Sequence, residues 1–167
     1  MTMGLDIKGP TNQRLHKAVE DVWKTKLKTG GFNSCLKDLE IVHVEENRVI
    51  SRVTLEKNNA NSNGSAHGGF LCTIVDCCGS LSVTSAGLET VDNGVSTEIN
   101  ISFMQGCKIG SVLDIESKCL RIGSTLAFTE VNVFSNGVPL ATGRHTKYIA
   151  KALEKAKAMK QQQSSQL

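Results

Sequence analysis

Aromatic side chains are scarce in this sequence: five Phe, one Trp and one Tyr amount to 4% of its 167 residues. With a net charge of only +3, the chain lacks both the stacking surfaces and the strong basic field of a nucleic-acid binder. The small positive charge does suit a polyanionic small molecule. Six cysteines, Cys35, Cys72, Cys77, Cys78, Cys107 and Cys119, include no CxxC pair and face no paired His spacing. A zinc site or disulfide framework is therefore disfavoured, and the thiols are expected to be reduced and to fill core positions. No GxSxG elbow is present, which argues against a Ser-His-Asp esterase. The first ten residues have neither the apolar stretch of a secretory signal nor the Arg-rich character of a strong presequence. A cytoplasmic address is the default expectation, with a mitochondrial association left open. No internal repeat stands out, and the ordinary apolar and charged fractions exclude disorder, collagen-like and coiled-coil chains. The length suits one domain with a sizeable core.

After Pro10, Thr11 or Asn12 can cap a helix whose apolar residues Leu15, Val19, Val22, Trp23 and Leu27 follow helical spacing up to Gly30-Gly31. Leu39 to Val44 and Val49 to Leu55 are β-prone runs around a turn at Glu45-Glu46-Asn47. A polar loop from Asn58 to Ser65 leads into the long, weakly polar segment His67 to Ala86, stopped by Gly87. Its length invites a membrane reading. Asp76 at its centre makes spanning costly, so a buried central helix is expected instead. From Val95 the period is two, with Val95, Thr97, Ile99, Ile101 and Phe103 on one face and Ser96, Glu98, Asn100 and Ser102 on the other. Strands follow at Val112 to Ile122, Thr125 to Phe134 and Leu140 to Ile149, the last two joined by Ser135-Asn136-Gly137. These four strands are expected to form an antiparallel meander. The tail from Ala150 can begin as a helix, and Gln161 to Leu167 is expected to be disordered.

This order of elements fits an α+β fold, one antiparallel sheet wrapped around a long helix, because an apolar helix needs cover on most sides. An α+β roll with another strand order satisfies the same pattern.

Two features carry possible chemistry. His67-Gly68-Gly69 opens the central helix, where unpaired backbone N–H groups meet the positive end of the helix dipole. Such donors stabilise a carbonyl oxygen becoming an oxyanion, although a lone His-Gly-Gly also reads as a permissive turn. Asp76 lies between Ile74-Val75 and Cys77-Cys78. A partly buried carboxylate there is a general-base candidate, or an Asp on the one solvated edge of the helix. Ser96 can orient a water and Asn61 can donate an amide hydrogen, but neither is informative alone. Lys108, Lys118, Arg121, Arg144 and Lys147 are candidates to meet phosphates. His16 and His43 read as structural, and His145 as a possible pocket residue.

Taken together, Asn61, His67-Gly68-Gly69, Asp76, Gly94-Val95-Ser96, Asn100-Ile101-Ser102-Phe103, Gly123, Ala127-Phe128 and Ala141 to Lys147 resemble the hotdog-fold acyl-CoA thioesterases of the thioesterase superfamily member two type. The resemblance runs from about Leu39 to Ile149. It implies that Gly68 N–H and Asn61 polarise the thioester carbonyl, that Asp76 acts as base or nucleophile, that Ser96 helps hold water, and that His67 sits beside the carbonyl site. It further implies a CoA groove lined by Phe103, Met104 and Lys108, and by Arg121, Gly123, Ser124, Thr125 and Leu126. This chain departs from the pattern in Gln105-Gly106, where Ser-Pro is common, in a longer N-terminus and in its Lys/Gln tail.

The expected organisation is a packing helix within 1–34, a hotdog domain over 35–150 and a tail over 151–167. The expected partners are acyl-CoA and further copies of the chain, as a homodimer or a homotetramer built as a dimer of dimers. No cofactor or metal is expected, because a thioester carbonyl is already electrophilic and its thiolate leaves readily. A hydratase or dehydratase on the same fold, or a non-catalytic acyl-CoA binder, are the competing readings.

Overall fold

A computed structural model describes residues 5–7 and 9–164. Helix α1 spans Gln13–Lys28; Asn12 caps it by accepting the Leu15 N–H at 3.2 Å. Strands β1 (Glu40–Glu45) and β2 (Arg48–Thr54) precede helix α2 (Gly68–Ser85). Strands β3 (Val95–Phe103), β4 (Val112–Ile122), β5 (Leu126–Ser135) and β6 (Val138–Tyr148) follow, and helix α3 (Ala150–Ser164) ends the described chain. Asn136 and Gly137 both adopt positive φ between β5 and β6, as a two-residue hairpin demands.

The six strands form one antiparallel sheet in the order β1-β2-β4-β5-β6-β3, and α2 packs across it. This is the hotdog arrangement. The expected four-strand meander is corrected: β4, β5 and β6 are consecutive neighbours, but β3 pairs with β6 at the sheet edge rather than with β4. Period-two alternation identifies a strand but carries no information about its neighbour. The expected disorder from Gln161 is also corrected in part, since α3 continues through Ser164; residues 165–167 lie outside the described residues.

Helix α2 is long and apolar enough to cross a membrane, yet 78% of it is buried inside this fold. Phe70, Leu71, Ile74, Val75, Cys78 and Leu81 share one core with Leu15, Val19, Val22 and Trp23 of α1. Each fully buried Leu, Ile or Val there contributes about 1.5–3 kcal/mol relative to exposure. With α1 over one side and the sheet over the other, α2 has little open surface, and Asp76 occupies part of it.

A third correction concerns the faces of β3. Ser96 pairs with Lys147 and Glu98 with Thr146, so Thr97 is an extra residue, a β-bulge. Beyond it Ile99 pairs with His145, Ile101 with Gly143 and Phe103 with Ala141. The bulge turns Ser96 onto the helix-facing side with Ile99, Ile101 and Phe103, although strict alternation assigns it to the opposite face.

Candidate active site

Asp76 lies two turns into α2, its side chain 44% exposed. Ser96 Oγ donates to Asp76 Oδ1 at 3.2 Å, and His145 Nε2 lies 2.9 Å from Ser96 Oγ and 3.6 Å from Asp76 Oδ1. His145 is fully buried and its Nδ1 has no hydrogen-bond partner. Ser96 has one hydroxyl hydrogen and gives it to Asp76, so its bond with His145 requires the neutral ring to carry its hydrogen on Nε2 and donate it to Ser96. The direction of both bonds is then set: His145 to Ser96 to Asp76. Gly79 makes room for this, because a Cβ there would stand 2.7 Å from Thr129 Oγ1 and 3.2 Å from His145 Nδ1.

Burial, reinforced by the Lys147 ammonium, pushes His145 down to about 4, while Asp76 pulls the other way. Lys147 is almost wholly buried and donates to Ser80 Oγ at 2.9 Å. Its assignment to phosphate contact is thereby corrected: strand pairing directs it inward beside Ser96. Burial and then Lys26 lower it to about 8. Lys118, another of the phosphate candidates, pairs with Glu116 at 2.9 Å, whereas Lys108, Arg121 and Arg144 are exposed.

A second group gathers at the N-terminus of α2. Asn61, Ser65, Gly68, Phe103, Met104 and Gly106 line a groove of about 300 Å³. Asn61 Oδ1 accepts the N–H groups of Asn63 and Ser65 at 3.0 and 3.1 Å, which leaves its Nδ2 amide as the available donor. His67 caps α2 by accepting the Gly69 N–H on Nδ1 at 2.9 Å. That removes the Gly69 N–H from any oxyanion role and leaves Gly68, the first helical residue, with no intrahelical acceptor for its own.

The two groups are separate within one chain. Gly68 and Asp76 are eight residues apart on one helix, roughly 12 Å along its axis. The anticipated groove residues divide the same way. Phe103, Met104 and Lys108 adjoin the Asn61 loop, Lys108 by bridging to Ser65. Arg121, Gly123, Ser124, Thr125 and Leu126 form the β4–β5 hairpin end, where Leu126 pairs with Tyr148, itself the partner of Val95 beside Ser96. Among the described residues, no group of three His, Cys, Asp or Glu side chains is placed to hold a metal ion.

Sequence reasoning missed Lys26, Asn93 and Ser80. Lys26 Nζ donates to Asn93 Oδ1 at 3.0 Å, and Asn93 Nδ2 donates to Ser80 O at 2.7 Å. No motif announces a cluster assembled from α1, α2 and the loop before β3; the one available signal was Ser80, one helical turn beyond Asp76.

Known proteins resemble this chain in sequence and in structure. The thioesterase superfamily profile matches residues 63–142. A "putative esterase" of Schizosaccharomyces pombe is 36% identical over 81% of this chain and 84% of its own. The acyl-coenzyme A thioesterase 13 of Mus musculus is 32% identical over 78% of this chain and 94% of its own. Among solved structures, zebrafish thioesterase superfamily member 2 superposes with a TM-score of 0.72 at 30% identity, covering 78% of this chain and 95% of that one. A "hypothetical thioesterase protein" of Streptococcus pneumoniae solved with coenzyme A gives a TM-score of 0.62 at 27% identity over 66% and 87% of the two chains. Sequence and fold thus agree, and this chain belongs to the thioesterase superfamily, a thioester hydrolase on the hotdog fold.

Proposed function

We propose that the protein hydrolyses fatty acyl-CoA to free acid and CoA at sites shared between two copies of the chain. Asp76 takes a proton from a water that Ser96 helps to hold, and the oxygen of that water attacks the thioester carbonyl. The resulting oxyanion is met by the Gly68 N–H and the Asn61 amide of the partner subunit, with His67 holding the helix entry beside them. Collapse breaks the carbon–sulfur bond, and the CoA thiolate takes the proton from Asp76. Every bond made or broken is accounted for by water and one base, with one backbone and one side-chain donor on the oxyanion.

The observation that carries this reading is the half-exposed Asp76 carboxylate, anchored by Ser96 with His145 behind it. Relatives named for acyl-CoA hydrolysis and a neighbour solved with coenzyme A support the substrate class. The 12 Å between Gly68 and Asp76 is too long for one carbonyl carbon to be served by both, which motivates the second chain. β3 is the edge of the sheet, with Val95, Ile99 and Phe103 exposed. An antiparallel pairing of two copies about a twofold axis perpendicular to this edge strand covers those residues and brings each Gly68 end toward the other chain's Ser96 end. The same operation unites Phe103, Met104 and Lys108 of one chain with the hairpin 121–126 of the other.

The test is thiol release from acyl-CoAs of graded chain length. Hydration of an enoyl-CoA without thiol release would establish the hydratase alternative, and tight CoA binding without turnover the non-catalytic one. The hydratase is the weaker reading because His67 is engaged in capping α2 and lies about two turns from Asp76.

A further inference from the structure

Two ammonium groups are held beside Asp76 without an ion-pair partner among the described residues. Lys147 Nζ donates to Ser80 Oγ at 2.9 Å, and Ser80 Oγ in turn donates to the Asp76 backbone carbonyl at 2.9 Å. Asn93 joins Ser80 O to Lys26 Nζ from the other side, at 2.7 and 3.0 Å. Burying an ammonium without a counter-ion is costly. The fold accepts that cost twice in one place, on the turn of α2 that carries the proposed base.

Next to this chain stands His145, with its Nε2 aimed at Ser96 and an orphaned Nδ1. The Asp76 carboxylate, 3.6 Å away, attracts a second proton onto that ring. An imidazolium there would make Asp76 a counter-ion, and a carboxylate committed to an ion pair is a poorer proton acceptor for water. Burial of the ring opposes that attraction first, and nearby cations add to it. Lys147 is the nearest cation in strand register: it lies two residues from His145 on the same helix-facing side of β6, opposite Ser96.

We propose that Lys147 is a positioning residue for the hydrolytic step: held on Ser80, its ammonium adds to burial in keeping His145 neutral as pH falls, so that Nε2 goes on donating to Ser96 and Asp76 stays free to accept a proton from water. This rests on the reading of Asp76 as the base. The charged and titratable groups facing His145 are Asp76 from α2, Lys147 from β6 and Lys26 from α1. Those facing Lys147 are Lys26, Asp76, Cys77 and, from the loop before β3, Asp92. Of these only Asp76 draws a proton toward His145, and both lysines repel it.

The experiment follows the imidazole nitrogens of His145 by two-bond 15N–1H correlation in the full-length protein, with His145→Gln used for assignment, alongside pH profiles of kcat/KM. In the wild type His145 stays neutral with its hydrogen on Nε2 from pH 8 down to about 5. In Lys147→Met its titration midpoint rises by about one unit, and the acid limb of kcat/KM moves to higher pH with it. Lys147→Arg retains the wild-type midpoint and limb. A folded Lys147→Met with an unmoved midpoint, or with activity lowered equally at every pH, overturns the proposal. If Lys147→Met does not fold, Lys26→Met on the half-buried flank decides: the midpoint moves upward, by less, or the proposal fails. The midpoint needs no turnover to be read, so a Asp76→Ala variant that remained active would remove the base assignment while leaving the charge relationship separately measurable.

Discussion

Ser96 Oγ reaches Asp76 Oδ1 at 3.2 Å because the bulge at Thr97 turns the start of β3 toward α2. The bond makes Ser96 an anchor for the carboxylate and sets its hydroxyl beside the place proposed for the water. Asp76→Ala should lower kcat by roughly two to four powers of ten with the fold retained, the usual worth of general-base assistance. Ser96→Ala should cost less, about tenfold, since the carboxylate stays in place. Steady-state kinetics with far-UV circular dichroism on the same samples checks both. A folded Asp76→Ala near wild-type kcat would end the proposed mechanism.

The cysteines should be dispensable. Burial pushes the Cys77 thiol up to about 12, and the fully buried Cys78 also lies well above its ordinary range, so neither forms a thiolate at working pH. Cys77 instead points to Asn33 Oδ1 at 3.5 Å. Replacing both by Ala should keep kcat within about an order of magnitude while lowering stability through lost packing. Complete loss of activity in a folded double variant would favour a thiol nucleophile.

Much of this fold was legible because local physics decided it. The helical spacing from Leu15 to Leu27, the Gly87 stop of α2 and the Asn136-Gly137 hairpin all stand where residue patterning puts them. Asp76 announced itself as a carboxylate in an apolar run. What was hidden depends on contacts distant in sequence. The place of β3 next to β6 is fixed by long-range pairing, the facing of Ser96 by one extra residue, and the burial of Lys147 by which side of β6 meets α2. A lysine in an alternating strand ordinarily marks the solvent face, and here it marks the inside.

Lys147 should also leave a mark on stability. Its folded value, lowered to about 8 by burial, lies below that of an exposed lysine, so between about 8 and 10.5 the unfolded chain binds more protons than the folded one. The cost of burying the charge is therefore greatest below pH 8 and is relieved as pH rises through that window. Lys147→Met should raise unfolding free energy at pH 7 by about 2 kcal/mol, with the gain shrinking toward pH 10. Urea denaturation at the two pH values measures it. A variant less stable at pH 7 would mean that the Ser80 hydrogen bond outweighs the buried charge.

The shared-site proposal makes the sharpest demand. Asn61 and Gly68 lie at the start of α2 and Asp76 two turns later, so no bending of side chains lets one chain supply both to a single thioester carbon. If the two halves meet across a twofold axis, each active site takes its oxyanion donors from one chain and its base from the other. Asn61→Ala and Asp76→Ala alone then each damage every site in a homodimer. In a mixed dimer the damage collects in one site: the Asp76→Ala chain contributes intact Asn61 donors opposite the intact Asp76 of the Asn61→Ala chain, and that site is wholly wild type. Unfolding the two variants together and refolding them should restore about a quarter of wild-type activity, because random pairing makes half of the dimers mixed and each has one good site. Two different affinity tags allow the mixed species to be isolated and its activity read directly, at about half the wild-type value. Isolated mixed dimers as inactive as either parent would show that each site is built within one chain, and the assignment of Gly68 and Asn61 to the carbonyl would fall with the shared-site model.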